Sequence, residues 1–267
     1  SPDYFHQKWN SFARFMLRLG ERTAALWADQ VITVSKNLQQ YLWHAYHSQA
    51  TYIPNGVPLP PENVSTTPLA AWGLEPNGYI VAISRLVRHK GLHFLIEAYK
   101  NLKTDKKLVI VGGAEYTDEY VASLHAMAEG NNNIIFTGKQ NGEILQSLFK
   151  HAYLFVQPSQ SEGMSIALLE ALSYDQAVLA SDIPENMEVI EDLGLTFANG
   201  DAKDLEKKLR FILTHAEIAK QYKQHGRGFV NQHFNWDEIV RQTISVYERA
   251  LKQPRAIRRL RAVKETA

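Results

Sequence analysis

An α/β chain built on a parallel sheet is the expected fold class, and three observations carry it. Between Tyr79 and Ser181, short apolar segments alternate with amphipathic ones. The apolar segments, such as "KLVIVG" and "AVLAS", lack the inside–outside alternation of a half-exposed strand, so both their faces are covered. Each ends in glycine, serine or proline before the period changes, as a strand–turn–helix succession requires. The expectation is a Rossmann-like, doubly wound sheet with helices on both faces. Such a sheet binds ligand beyond the carboxyl ends of its strands.

Taken in order, residues 8–29 read as an amphipathic helix. Trp9, Phe12, Phe15, Met16, Leu19, Leu26 and Trp27 fall on one face, and Arg14, Arg18, Glu21 and Arg22 fall opposite. Docking of the apolar face against a core is the favoured role, and contact with a membrane surface is the alternative. "QVITVS" is a short β-branched strand, and Ser35 is placed to cap the helix "KNLQQYLWHAY". Five prolines between Pro54 and Pro68 mark a stiff linker.

Strands follow at "YIVAIS", "KLVIVG", "NIIFTG", "YLFVQP" and "AVLAS". Helices follow at "GLHFLIEAYKNL", "DEYVASLHAMAEG", "GEILQSLFKHA" and "SIALLEALS". The end of the chain is helical, with Asp201 as a cap for "DAKDLEKKLRFILTH". In "NWDEIVRQTISVYERAL", Trp236, Ile239, Val240, Thr243, Val246, Tyr247 and Leu251 share one side. The tail carries Arg255, Arg258, Arg259, Arg261 and Lys264. It reads as a solvated tail, with anionic lipid as the alternative partner. The expected division is residues 1–57, residues 58–234 as the Rossmann-like lobe, and residues 235–267 as helix and basic tail.

Composition narrows the function. The 267 residues hold 29 basic and 28 acidic side chains, a net charge of +1. That balance gives no reason to expect nucleic acid as a partner. The absence of cysteine excludes disulfides, thiolate metal sites and a cysteine nucleophile, and is compatible with a cytoplasmic location. The histidines show no metal-ligand spacing. No apolar run reaches the roughly 18–20 residues of a membrane-spanning helix. The chain opens on Ser1-Pro2, which fits a processed product or a piece of something longer.

Two places can carry chemistry. The first is the loop "SRLVRHKGL", where Arg85, Arg88, His89 and Lys90 gather just before a helix start at Gly91. A helix start offers unpaired N–H groups, and adding Arg and Lys makes a diphosphate site; a solvated basic loop fits equally well. The second is "SQSEGMSIALLEAL". A helix beginning near Ser165 puts Glu162 before its N-terminus and Glu170 in its second turn. Eight residues of helix rise about 12 Å, roughly a diphosphate's reach. Two carboxylates so placed can take the sugar and ribose hydroxyls of a nucleotide sugar, with the N–H groups of residues 163–167 holding the anion. On spacing alone, ordinary helix and loop glutamates are the better reading.

The surroundings change that balance. "YIPNGV", "AISRLVRHKG", "LVIVGG", "IIFTG" and "PSQSEGMSIALLEALSYDQAVLASDIPENMEVI" together resemble the large E-x7-E family of retaining glycosyltransferases, which includes many bacterial polysaccharide and lipopolysaccharide transferases. The likeness runs from about Ala28 to Leu251. It implies the GT-B architecture and a nucleotide-sugar donor (UDP-, GDP-, ADP- or dTDP-linked). It also implies a glycan or lipid-linked acceptor met at the cytoplasmic face of a membrane, and no metal or other cofactor; no D-x-D motif occurs.

By position, the resemblance makes Arg85 and Lys90, with Ser84 beside them, the donor diphosphate clamp. Glu162 stands near the transferred sugar and counts with Arg85 and Lys90 as catalytic. Gly163, Met164, Ser165, Ile166 and Ala167 give backbone contacts, Glu170 binds ribose, and Lys139 and Gln140 read the base. No enzyme nucleophile is implied, because front-side attack uses the donor phosphate to take the acceptor proton.

Three departures stand out. Ser165 replaces a usual glycine, Asp175 and Ala177 replace a usual Gly and Pro, and most of the N-terminal acceptor lobe is missing, so His6 is not the family's catalytic histidine. The chain by itself is therefore expected to bind donor with little transfer. The rival expectations are a nucleotide-binding module that needs a separate acceptor lobe, and a nucleotide-sugar epimerase.

Overall fold

The computed structural model describes residues 11–114, 118–190 and 192–252. Trp9, His6 and the basic tail lie outside the described residues. In chain order the elements are α1 (Ser11–Trp27), β1 (Ile32–Thr33), α2 (Lys36–Tyr46), β2 (Thr51–Tyr52), β3 (Tyr79–Ile83), α3 (Leu92–Lys100), β4 (Lys107–Val111), α4 (Asp118–Ala128), β5 (Ile134–Gly138) and α5 (Gly142–Lys150). There follow β6 (Leu154–Gln157), α6 (Ile166–Ser173), β7 (Val178–Ser181), α7 (Pro184–Ile190), β8 (Leu195–Phe197), α8 (Ala202–Thr214), α9 (Ala216–Tyr222), α10 (Gly226–His233) and α11 (Trp236–Lys252). The chain divides into two compact units, one reaching to Gly56 and resuming at Phe234, the other Val57–His233.

The second unit is the expected α/β body. Six parallel strands lie in the order β5-β4-β3-β6-β7-β8. Alternate residues of the central strands serve opposite faces. Ile80, Ala82, Leu108, Ile110, Leu154, Val156 and Leu179 pack with Leu95, Ile96, Leu124, Leu205 and Leu209 from α3, α4 and α8. On the other face Phe155 packs against Phe149 of α5, with ring centroids 5.8 Å apart. Tyr79 sends its hydroxyl to the Ser147 and Leu148 carbonyls there. Sidedness of this kind explains why the strands are apolar throughout. β3 and β6 are neighbours although two strands, β4 and β5, lie between them in sequence order, so the connections leave in opposite directions from that pair. That is the switch point at which open α/β sheets form a crevice.

The elements β8, α7, α9 and α10 were not anticipated. β8 has three residues, too few to show a period. The caps were legible: Ser35 Oγ accepts from Leu38 N–H at 3.2 Å, and Asp201 Oδ1 accepts from Lys203 and Asp204 N–H.

The first unit corrects one expectation. Helix α1 was expected to dock through its apolar face, yet Phe12, Phe15, Met16, Leu19 and Trp27 are exposed. It is held from the other side. Tyr41 and Tyr46 of α2 both donate to Glu21 Oε1, at 2.6 and 2.7 Å, and Ser48 Oγ donates to the Ala25 carbonyl. The parallel pair β1–β2 is two residues long on each strand and too small to cover the apolar face. Similarly α11 buries Ile239 and Val246 against Ile53, while Trp236, Val240, Tyr247 and Leu251 of the expected stripe stay exposed.

At the strand-start end of the second unit, Lys223 follows α9. Its ammonium donates to the Ala152 carbonyl at 2.6 Å and to Asn77 Oδ1 at 2.9 Å. Burial, then repulsion from Lys150 and Lys106, brings its pKa down to about 8. The folded value lies below the unfolded one, so between them the unfolded chain binds more protons and stability rises with pH. The denaturation midpoint of the wild type is expected to climb between about pH 8 and 10 relative to Lys223→Met, by the order of 2 kcal/mol in unfolding free energy. Parallel pH curves for the two proteins would refute it.

Candidate donor site at the strand switch point

The site forms where β3 and β6 end. After β3 the chain runs through Ser84 and Arg85, makes a 3-10 turn over Arg88–Lys90, and enters α3 at Gly91. After β6 it runs through Pro158 and Ser159 to Glu162 and enters α6 at Ser165. The two loops are joined directly. Gln160 N–H donates to the His89 carbonyl at 2.8 Å. Gly91 has φ +68, and a Cβ there would stand 1.9 Å from the Pro158 carbonyl oxygen. Only glycine permits both that backbone conformation and that approach.

This junction brings Lys90 and Glu162 together. Lys90 Nζ lies 2.6 Å from Glu162 Oε1 and 2.8 Å from Oε2. The side chains are 14% and 7% exposed, so the pair is largely shielded from water. Glu162 Oε1 also accepts from Gln157 Nε2 at 2.7 Å, and the same amide donates to Ser159 Oγ at 2.7 Å. Behind them, Ser181 Oγ donates to the Ser159 carbonyl. Asn186 Nδ2 reaches Ser181 O and Oγ at 3.1 and 3.0 Å. Gln157, Ser159, Ser181 and Asn186 are all buried, and sequence reasoning did not single them out. The available signal was a polar residue closing each apolar strand, Gln157 in "YLFVQP" and Ser181 in "AVLAS".

Helix α6 begins as expected. Ser165, at the usual glycine position, is its N-cap, with Oγ accepting from Leu168 N–H at 3.3 Å. That departure is therefore a helix cap, which occupies one first-turn donor and keeps the serine side chain inside. Gly163 and Ile166 are exposed, Ala167 is half-buried and Met164 is buried. Glu170 lies in the second turn, half-buried, and burial raises its carboxyl above the ordinary 4.5. Neighbouring Tyr174 is pushed up to about 12 by burial and then by the Glu170 charge. Asp175, the other departure, takes a left-handed φ of +55 and accepts from Arg227 N–H at 2.8 Å. An aspartate tolerates that conformation and here caps the start of α10.

The remaining expected residues are spread along the same sheet edge. Ser84 is half-buried and Arg85 exposed on the β3 loop. Lys139 is exposed and Gln140 half-buried after β5, where Gln140 Nε2 donates to the Thr137 carbonyl at 2.6 Å. With β4 between them, and strands about 4.8 Å apart, the β5 tip stands about 10 Å from that of β3. Of the expected residues, the structure joins Lys90 and Glu162 directly; the others lie along the same edge of the sheet. Among the described residues no group of three or more His, Asp or Glu side chains could hold a metal ion.

Residues 71–256 match the family described as glycosyl transferases group 1. The chain belongs to this family. A relative, alpha-maltose-1-phosphate synthase of Mycobacterium tuberculosis, is 30% identical over 258 residues, covering 86% of this chain and 65% of that protein. The group 1 chain thus spans a little under two thirds of that relative's length. Sucrose-phosphate synthase from Thermosynechococcus elongatus superposes with a TM-score of 0.79 at 25% identity, over 92% of this chain and 64% of that one. Anabaena Alr3699/HepE, solved with UDP and glucose, superposes with a TM-score of 0.81 at 22% identity, over 93% of this chain and 69% of that one. The parallel α/β body is thus the fold of the group 1 family, and the E-x7-E pair and the basic loop lie within the matched residues.

Proposed function

We propose that this chain carries the donor-binding lobe of a retaining, nucleotide-sugar-dependent glycosyltransferase. In the whole protein it serves transfer to a polysaccharide or lipid-linked glycan. The observation that carries this reading is the shielded Lys90–Glu162 pair at the strand switch point, in front of the α6 N-terminus, with Glu170 in the second turn of that helix. Arg85 and Lys90 neutralise the diphosphate as the sugar C1–O bond breaks and its electron pair passes to the phosphate. Glu162 orients the sugar, Glu170 accepts from the ribose hydroxyls, and Lys139 and Gln140 face the base. The acceptor oxygen bonds to C1 on the same side, and its proton goes to the departing phosphate oxygen. No step calls for a metal. The exposed apolar face of α1 supports contact with a membrane surface where the acceptor is met.

Thermal unfolding against UDP, GDP, ADP and dTDP, each with and without a sugar, tests the reading. A ligand at 100 times its dissociation constant stabilises by about 2.7 kcal/mol. Glu170→Gln sharpens the test. A pKa raised on folding adds stability that is complete below the unfolded value near 4.5 and lost as pH rises through the folded value. At neutral pH the buried charge is therefore a net cost, and the neutral variant is expected to melt higher than wild type. The same variant is expected to bind the nucleotide about tenfold or more weakly, through loss of charge-assisted hydrogen bonds to ribose. A variant that is more stable and still binds fully would remove Glu170 from the site; absence of any ligand shift in the wild type would refute the donor reading.

A further inference from the structure

Gln157 closes β6 with an amide where the preceding strand residues are apolar, and it is 2% exposed. A buried amide persists only where its hydrogen bonds are made. Its Nε2 is shared between Ser159 Oγ and Glu162 Oε1, both at 2.7 Å. Ser159 is itself anchored by Ser181, and Ser181 by Asn186, so the amide rests on a chain of buried groups spanning the ends of β6 and β7. The E-x7-E resemblance assigns nothing to position 157.

Lys90 and Gln157 are donors to Glu162 of different character. Lys90 approaches on a flexible four-carbon stem from the loop that also faces the diphosphate. Gln157 approaches from a strand, with its side chain enclosed. A diphosphate that draws Lys90 towards itself takes a donor from Glu162, and a carboxylate that must meet a sugar hydroxyl needs its plane held during that exchange. We infer that Gln157 is the positioning residue of Glu162: it keeps Oε1 engaged while Lys90 turns to the diphosphate, and so sets the sugar-recognising carboxylate. Lys90 then acts on the nucleotide and the sugar nucleotide alike, whereas Gln157 acts only on what the sugar adds. The inference rests on the donor-site reading above.

Isothermal titration of the chain with UDP and UDP-glucose, or with the matching pair chosen by the nucleotide panel, separates the two. Gln157→Met is close in volume and removes the amide. It is expected to weaken UDP-glucose about tenfold and to change UDP by no more than about twofold, a loss the size of one hydrogen bond to a charged group. Gln157→Asn keeps an amide but withdraws it by one methylene, and is expected to show the same selective loss in milder form, should the Met variant fold poorly. Lys90→Met is expected to weaken both ligands. A purely structural role for Gln157 would lower stability and leave the ratio of the two affinities unchanged, and that result overturns the inference alone. A wild type that binds no nucleotide or nucleotide sugar overturns the donor reading and this inference with it.

Discussion

Gly91→Ala is expected to destabilise the protein by about 3 kcal/mol or more and to abolish nucleotide binding. Two effects add. A left-handed φ costs a non-glycine residue about 1–2 kcal/mol. The new Cβ would also stand 1.9 Å from the Pro158 carbonyl oxygen. That oxygen is backbone, so no rotamer relieves the contact, and overpacking of this sort costs about 1–3 kcal/mol. The displacement falls on the junction that sets Lys90 against Glu162, so binding is lost with stability. Gly130→Ala is the control. Gly130 has φ +76, yet nothing lies within 4 Å of its would-be Cβ. It is expected to lose only the conformational part, about 1–2 kcal/mol. Urea denaturation of both variants decides the matter. Equal losses would mean that the loop after β6 yields freely, and that Gly91 is present for its dihedral alone.

Lys90→Met is the second change of large effect. Breaking a buried ion pair by removing one partner costs about 3–5 kcal/mol, because the other charge stays behind uncompensated. Glu162 keeps the Gln157 amide on Oε1, so a loss near the lower end, about 3 kcal/mol, is expected here. Glu162→Gln in the same background removes the stranded charge and is expected to recover a large part of the loss. A double-mutant cycle by chemical denaturation measures the coupling directly. Additive single losses would show that the pair, though short, contributes no mutual stabilisation. Nucleotide affinity is a separate readout: both Lys90 variants are expected to bind poorly whatever their stability, since neither supplies a cation to the diphosphate.

These tests fall on residues that differ in how they could be known beforehand. The positions of Lys90, Glu162 and Glu170 at the sheet edge were legible because strand, loop and helix succeed one another in register with them. A basic loop after one apolar strand and a carboxylate loop after another both belong at the carboxyl edge of a parallel sheet. Ser35, Ser165 and Asp201 were legible as helix starts because capping is a local interaction within a few residues. Gln157, Ser159, Ser181 and Asn186 were passed over because a polar residue at a strand end is unremarkable until its neighbours are known. Their partners lie between 2 and 22 residues away, on three different elements. Helix α1 shows the opposite failure. Its amphipathic period is plain, yet the sequence pattern does not say which side meets the rest of the unit, and the tyrosine–Glu21 bonds chose the polar one.

The sequence by itself determined the period-driven features of this protein: an apolar parallel sheet, the helices around it, their caps, and the sheet edge at which the basic and carboxylate loops lie. These follow from burial and from hydrogen bonds that close within a few residues. Tertiary structure alone decided that β3 and β6 are neighbours, that Gly91 lies on the Pro158 carbonyl, and that Lys90 and Glu162 meet beside Gln157. Those depend on strand order and on loops converging from residues some 70 apart in the chain, and no local period encodes either.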